Sequence, residues 1–161
     1  MQLSKRELAP KFRAVAQGEA VAISSLAIRS KAHWGYSDEF MQACRAELTY
    51  SESQVHSSNY EFWVCEIESR MVGFYAIECR SPEEAELEAL FVEPEFIGRG
   101  IGRTLIEHAK QKTAALGVSR LIIQGDPNAT DFYEAAGGVY TGQRESTSIP
   151  GRFLPIFTIS L

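Results

Sequence analysis

The run Glu93-Pro94-Glu95-Phe96-Ile97-Gly98-Arg99-Gly100-Ile101-Gly102-Arg103-Thr104-Leu105 follows a strand-like segment, Leu87 to Val92, and opens an amphipathic helix pattern. Glycine stands at alternate positions 98, 100 and 102. Such a turn aims free backbone N–H groups and the positive end of a helix at one point, where a phosphate or pyrophosphate fits. Gly98 and Gly100 permit a sharp bend, or a ligand approach closer than a Cβ would allow. Gly102 falls in the first helical turn, where a missing side chain lets the helix start sit against the strand or the ligand. Arg99 and Arg103 add charge, and a guanidinium can fork onto phosphate oxygens. Taken alone, the glycines also suit a strand-to-helix turn that holds nothing.

Two rival phosphate motifs fail on inspection. A Walker A loop ends in Gly-Lys-Ser/Thr, but Gly102 precedes Arg103-Thr104. A dinucleotide fingerprint needs Gly-x-Gly-x-x-Gly, and Arg103 and Leu105 occupy the third-glycine positions. The segment Arg120–Gln124 also lacks the carboxylate that would bind a ribose.

Other residues could move protons. Glu86 and Glu88 lie two apart on the strand, so period-two geometry puts them on one face. They belong to an acidic stretch with Glu83, Glu84, Glu93 and Glu95 that also suits a solvated surface. An acidic surface favours approach of a cationic amine. His33, Trp34 and Tyr36 form a short aromatic loop that could meet an amine by cation–π contact or simply pack. His33, His56 and His108 lack ligand-like partners, and His108 falls on the exposed side of its helix, so no metal site is expected.

The elements that carry these residues can be read in order. Residues 1–10 form a polar tail ending at Pro10, and 11–161 form one domain. Phe12–Ala16 reads as a strand and Ala20–Lys31 as a helix. Ser37 caps a second helix through Phe40, Met41, Cys44 and Leu48. Thr49–Tyr60 is polar, Ser-rich and expected to be exposed. Strands follow at Phe62–Ile67, Met71–Cys79 and Leu87–Val92. The helix of Ile101, Leu105, Ile106, Ala109, Thr113 and Leu116 closes at Gly117. Leu121–Gln124 is a short strand. Asp126-Pro127-Asn128 starts a helix ended by Gly137-Gly138, with Phe132 and Ala136 on its core face and Tyr133 turned off it. Val139–Gln143 and Phe153–Leu161 are the last strands.

Composition sets outer bounds. The 161 residues are 45% hydrophobic and 23% charged, ordinary for a globular chain. A net charge of −5 disfavours nucleic acid as a partner. No apolar run approaches the ~20 residues of a membrane helix, and no secretory signal is seen at the N-terminus. Cys44, Cys65 and Cys79 are scattered, fit a cytoplasmic location, and read as small buried hydrophobes.

The Gly-rich turn resembles motif A of the GNAT superfamily of acyl-CoA N-acyltransferases, Arg/Gln-x-x-Gly-x-Gly/Ala, read here as Ile97-Gly98-Arg99-Gly100-Ile101-Gly102. Ile97 departs from the family's Arg or Gln. The order β-α-α-β-β-β-α-β-α-β-β is similar to the GNAT fold, an α/β (α+β) architecture with a mixed, mostly antiparallel sheet. The resemblance implies an N-acetyltransferase that moves an acetyl group from acetyl-CoA to a primary amine by direct attack, with no metal. A non-catalytic acyl-CoA-binding module is the alternative. Residues 97–104, Ile97 to Thr104, would hold the pyrophosphate. Leu90, Phe91 and Val92 would offer a main-chain N–H to the thioester carbonyl beside a strand that splays from Leu121–Gln124. Glu86, eleven positions before Ile97, matches the catalytic glutamate of some members, and Glu88 is the other candidate base. Asn128 and Tyr133 resemble motif B, in which an Asn contacts CoA and a Tyr protonates the departing thiolate; Asn128 equally suits a helix cap. His33, Trp34 and Tyr36 fall in the loop that usually meets the acceptor, a small-molecule or peptide amine. Dimers are common in the family, which makes Phe153–Leu161 a candidate edge for a homodimer.

Overall fold

The computed structural model describes residues 9–161. The N-terminal tail therefore lies almost wholly outside the described residues. A seven-stranded sheet runs β1-β2-β3-β4-β5-β7-β6. Its strands are β1 (Lys11–Ala14), β2 (Tyr60–Ile67), β3 (Arg70–Cys79), β4 (Glu84–Val92), β5 (Arg120–Gln124), β6 (Val139–Glu145) and β7 (Phe153–Ser160). Only the β4–β5 pair is parallel. The helices are α1 (Ala20–Ala32), α2 (Asp38–Cys44), α3 (Glu52–Val55), α4 (Ile101–Ala115) and α5 (Thr130–Ala135).

Each face of the sheet buries its own core. Helix α4 lays Ile101, Leu105, Ile106 and Ala109 on one face, beside Ala85, Leu87, Leu121, Ile123 and Tyr133. The four- and three-residue spacing of those positions gives the helix one apolar stripe. Each fully buried Leu or Ile there contributes about 1.5–3 kcal/mol of transfer free energy. Ile23, Leu26 and Ala27 of α1 cover the opposite face with Cys44, Tyr50, Phe74 and Ala89. Ser37 does cap α2, accepting from the Phe40 amide at 3.1 Å.

The course of β4 positions the site. It pairs with β3 as far as Val92, but with β5 only from Glu84 to Leu87. Beyond Leu87 the two parallel strands part and leave one edge of β4 open. Against β3, Ala76 faces Ala89 and Ile77 faces Leu87, so Glu88 is an extra, unmatched residue. This bulge flips the parity of the strand. Ala85 and Leu87 face α4 before it; Ala89 and Phe91 face α1 after it.

Several expectations need correction. Helix α2 stops at Cys44, and turns carry the chain to a buried Leu48. The stretch 49–60 is not simply an exposed loop: it contains α3, and Tyr50 and Val55 are buried. Leu116 lies past the apolar stripe of α4 and is exposed. His108 is not on an open face. Its ring stacks on Phe12 at 3.8 Å, and its Nδ1 lies 2.7 Å from the Tyr75 hydroxyl. Cys79 is exposed, at the end of β3, although Cys44 and Cys65 are buried. Strand β7 is no edge, because it inserts between β5 and β6; the edge strands of the described sheet are β1 and β6.

Candidate active site

The site begins where β4 gives way to α4. A single 3-10 turn, Pro94–Phe96, leads into Gly98 at φ +83° and Gly100 at φ +85°. These left-handed conformations are open to glycine and strained for other residues. Gly100 is the N-cap of α4, and the first helical bond is Thr104 N–H to Gly100 C=O at 3.1 Å. The amides of Ile97 and Arg99 fold back onto Pro94 and Phe96 carbonyls. Those of Gly98, Gly100, Ile101, Gly102 and Arg103 find no acceptor among the described residues. Gly102 serves packing, since a Cβ there would lie 3.2 Å from the Phe132 ring.

This turn forms one end of a cleft of about 790 Å³. Ile97, Gly98, Gly100, Gly102 and Arg103 line it, whereas Arg99, Ile101 and Thr104 do not. Arg99 lies over the Phe96 ring at 5.3 Å, Ile101 is core, and the Thr104 hydroxyl donates to Gly100 C=O at 3.0 Å. Leu90, Phe91 and Val92 line the cleft along the open edge of β4. The Val92 amide already donates to Ser30 Oγ of α1 at 3.3 Å. The Glu93 amide donates back to Val72 of β3. Alternation along the strand therefore puts the Leu90 amide on the open edge, with no strand beside it.

The two glutamates share the cleft but not an environment. Glu86 is buried and ion-paired to both Arg80 and Arg144, the latter at 2.9 Å. Arg144 reaches Glu86 from β6 and also donates to Gln124 of β5 at 3.0 Å. Glu88, displaced by the bulge, is accessible to solvent yet sunk within the cleft. Among the described residues no cation lies within ion-pair distance of it. Burial, then Glu78 and Glu86, push its carboxyl up to about 7, while Arg80 pulls the other way.

Tyr133 is not turned off the core. It is 8% exposed, packs on Phe157 at 5.9 Å, and fills the space left by Gly125. Phe132 is the partly buried residue instead. Helix α5 is one and a half turns long and is set by the glycines around it rather than by its own apolar stripe. Tyr133 still lines the cleft, and its hydroxyl has no hydrogen-bond partner among the described residues. Burial, then Asp126, raises its phenol above the ordinary value.

A hydrogen-bond network runs along one wall, through Asp126 and Asn128. The Tyr36 hydroxyl donates to Asp126 Oδ2 at 2.7 Å and accepts from Asn128 Nδ2 and Arg152, both at 2.9 Å. Asn128 also donates to Asp126 Oδ1 at 3.0 Å. Burial and the bond to Asp126 push Tyr36 up to about 12. Tyr36 itself does not line the cleft; His33, Trp34, Asn128 and Asp126 do. The aromatic loop and the motif B asparagine are thus joined across 92 residues of sequence. Arg80, Arg144, Lys31, Glu47, Tyr50 and Asp126 also line the cleft, yet their types and spacing carried no signal. The described residues include no cluster suited to a metal ion.

A family model described as an acetyltransferase (GNAT) domain matches residues 15–147. The chain belongs to this family. An uncharacterised N-acetyltransferase of Methanocaldococcus jannaschii is 30% identical over 117 residues, 66% of this chain and 51% of that protein. The peptidyl-lysine N-acetyltransferase YiaC of Escherichia coli is 32% identical over 80 residues, 50% of this chain and 51% of YiaC. The chain spans about half the length of the curated relatives it matches. The fold is also that of solved GNAT proteins. A GCN5-related N-acetyltransferase from Rhodopseudomonas palustris superposes with TM-score 0.77 at 24% identity, covering 100% of this chain and 99% of that one. The PaiA N-acetyltransferase of Thermoplasma acidophilum, solved with coenzyme A, gives 0.77 at 19% identity, covering 95% and 99%.

Proposed function

We propose that this GNAT chain transfers an acetyl group from acetyl-CoA to a primary amine by direct attack. One observation carries the reading: amides without acceptors cluster at the turn where the open edge of β4 ends. That cradle suits a pyrophosphate, and the parted strands suit an extended tether. Bound there, acetyl-CoA supplies an activated acyl carbon. The amides of Gly98 and of residues 100–103 hold the diphosphate, and Arg103 adds charge. The Leu90 amide N–H donates to the carbonyl oxygen as negative charge develops on it, a contribution of roughly 3 kcal/mol.

An alkylammonium with a pKa near ~10 must lose a proton before it attacks. Glu88 takes that proton. A carboxyl near 7 is a stronger base than an ordinary one, and it is still ionised in part at neutral pH. Glu86, clamped by two guanidinium groups, anchors the wall. The free Tyr133 hydroxyl gives its proton to the leaving thiolate. Residues 11–161 act as one domain in this reading. Free cysteines fit a cytoplasmic location, and a homodimer formed by strand addition would use an edge strand, β1 or β6.

Ile97, in place of the family's Arg or Gln, favours the second reading, an acyl-CoA-binding module without turnover. Thiol release from acetyl-CoA across a panel of amines separates the two. Release that depends on the amine supports transfer. Tight binding without release supports the module, and failure to bind acetyl-CoA overturns both.

A further inference from the structure

Tyr50 is not used by the transfer step, yet it is held with care. Its ring packs edge-on against Phe62 at 5.5 Å and Phe74 at 5.9 Å. Its amide donates to Ser24 Oγ at 2.8 Å, and that hydroxyl donates to Ala20 C=O at 2.7 Å. Tyr50 is only 6% exposed, but it lines the cleft. Its hydroxyl bonds to no described residue, and among the described residues no fully buried side-chain oxygen lacks a partner. The hydroxyl therefore opens on the cleft. Glu47 and Glu88 line the same cleft, and both act on the Tyr50 phenol through space. Glu47 meets the Cys44 thiol, and its ion-pair partner among the described residues is a loose one, Lys31 at 3.9 Å, which stands equally far from Asp126. Arg80 pairs with Glu86 and Glu78, and Arg144 pairs with Glu86; neither lies within ion-pair distance of Glu47 or Glu88. Trp34, 51% exposed, adds an aromatic face nearby.

We propose that Glu47 and the Tyr50 hydroxyl form a subsite for a second cation on the acceptor, so that the acceptor is an aliphatic diamine or polyamine. This rests on the reading of the cleft as an amine acetyltransferase site. One ammonium meets Glu88 and loses its proton there. The other stays charged, donating to Glu47 and to the phenolic oxygen, with the indole face as a further cation contact. A neutral or anionic tail would leave Glu47 unmatched or repelled. A lysine side chain in a neutral peptide supplies only one of the two charges.

The test compares kcat/KM for diaminobutane, aminobutane and a lysine peptide with neutral flanks, at saturating acetyl-CoA. The diamine should exceed the monoamine by about ten- to hundredfold, the scale of one charge-assisted hydrogen bond. Glu47→Gln should cut that ratio about tenfold through KM, and Tyr50→Phe, which keeps the ring packing, a few-fold. An equal or better monoamine or peptide, or a ratio untouched by Glu47→Gln, overturns the subsite while leaving acetyl transfer intact. Calorimetric binding of the two small amines to the CoA-loaded protein reads the subsite without turnover. Tighter diamine binding supports it even if no amine is acetylated, and equal binding overturns it.

Discussion

The two ends of the cleft are built from different parts of the chain's chemistry. At one end, residues 98–103 present main-chain hydrogens, and side chains matter chiefly by being absent. At the other, Glu47, Tyr50, Glu86, Glu88 and Arg144 converge from three separate segments: the connection after α2, β4 and β6. The first end binds whatever carries a diphosphate, since every residue has an amide. The second is written in side-chain identity. Ligand binding and turnover should therefore respond to different mutations, and to different physical causes.

The sharpest break between the two ends is Glu88→Gln. Removing a positioned base costs about 10²- to 10⁴-fold in rate, so kcat should fall on that scale while acetyl-CoA affinity, read by calorimetry, stays put. Tyr133→Phe should lower kcat about ten- to hundredfold, again with affinity preserved, because the ring packing on Phe157 is retained. Unchanged turnover in that variant removes Tyr133 from the mechanism. Gly100→Val acts on the opposite end. A β-branched residue at φ +85° is strained by about 1–2 kcal/mol, so acetyl-CoA affinity should drop about tenfold with little change in kcat at saturation. Glu86→Gln should leave CoA affinity alone and destabilise the fold by roughly 1–2 kcal/mol in urea titration. That is less than a fully buried pair would cost, because both guanidinium groups are nearly half exposed.

The pH response carries a definite sign. The Glu88 carboxyl sits at about 7, above its ordinary 4.5. The folded state thus binds its proton more tightly than the unfolded chain does. Its contribution to stability is complete below about 4.5 and is lost as pH rises through about 7. Activity runs the other way, because the base must be ionised, and kcat/KM should rise through the same window. Glu88→Gln should abolish both trends, as melting curves and rate profiles across pH would show.

The contrast also explains what could be read from sequence. Local signals sufficed for the Gly-rich turn, the Ser37 cap and the stripe of α4, because each is set by neighbours within a few residues. The order of elements carried the GNAT fold for the same reason. The bulge at Glu88 was invisible: it arises from register against β3, and it overturned the simple alternation that put Glu86 and Glu88 in equivalent places. The Arg144–Glu86 pair spans 58 residues, and the Tyr36–Asn128 bond spans 92. Nothing in either residue's neighbourhood announces the partner. Tyr50 was hidden by polar company, since the serines around it suggested a solvated loop while its own ring fills the core. The apolar spacing within α5 points Tyr133 away from the core, but that helix is too short for its stripe to dominate, and the ring is buried. Gly125 leaves the room that the ring fills, and Gly138 lets the chain pass close to the Tyr133 carbonyl.

The central claim is that unclaimed main-chain hydrogens at the start of α4 hold the diphosphate of coenzyme A. The most direct test is a ¹H–¹⁵N titration of the protein with CoA. The account predicts that the amides of Gly98 and of residues 100–103 move furthest and saturate together. Saturable binding that leaves those amides unmoved would contradict it.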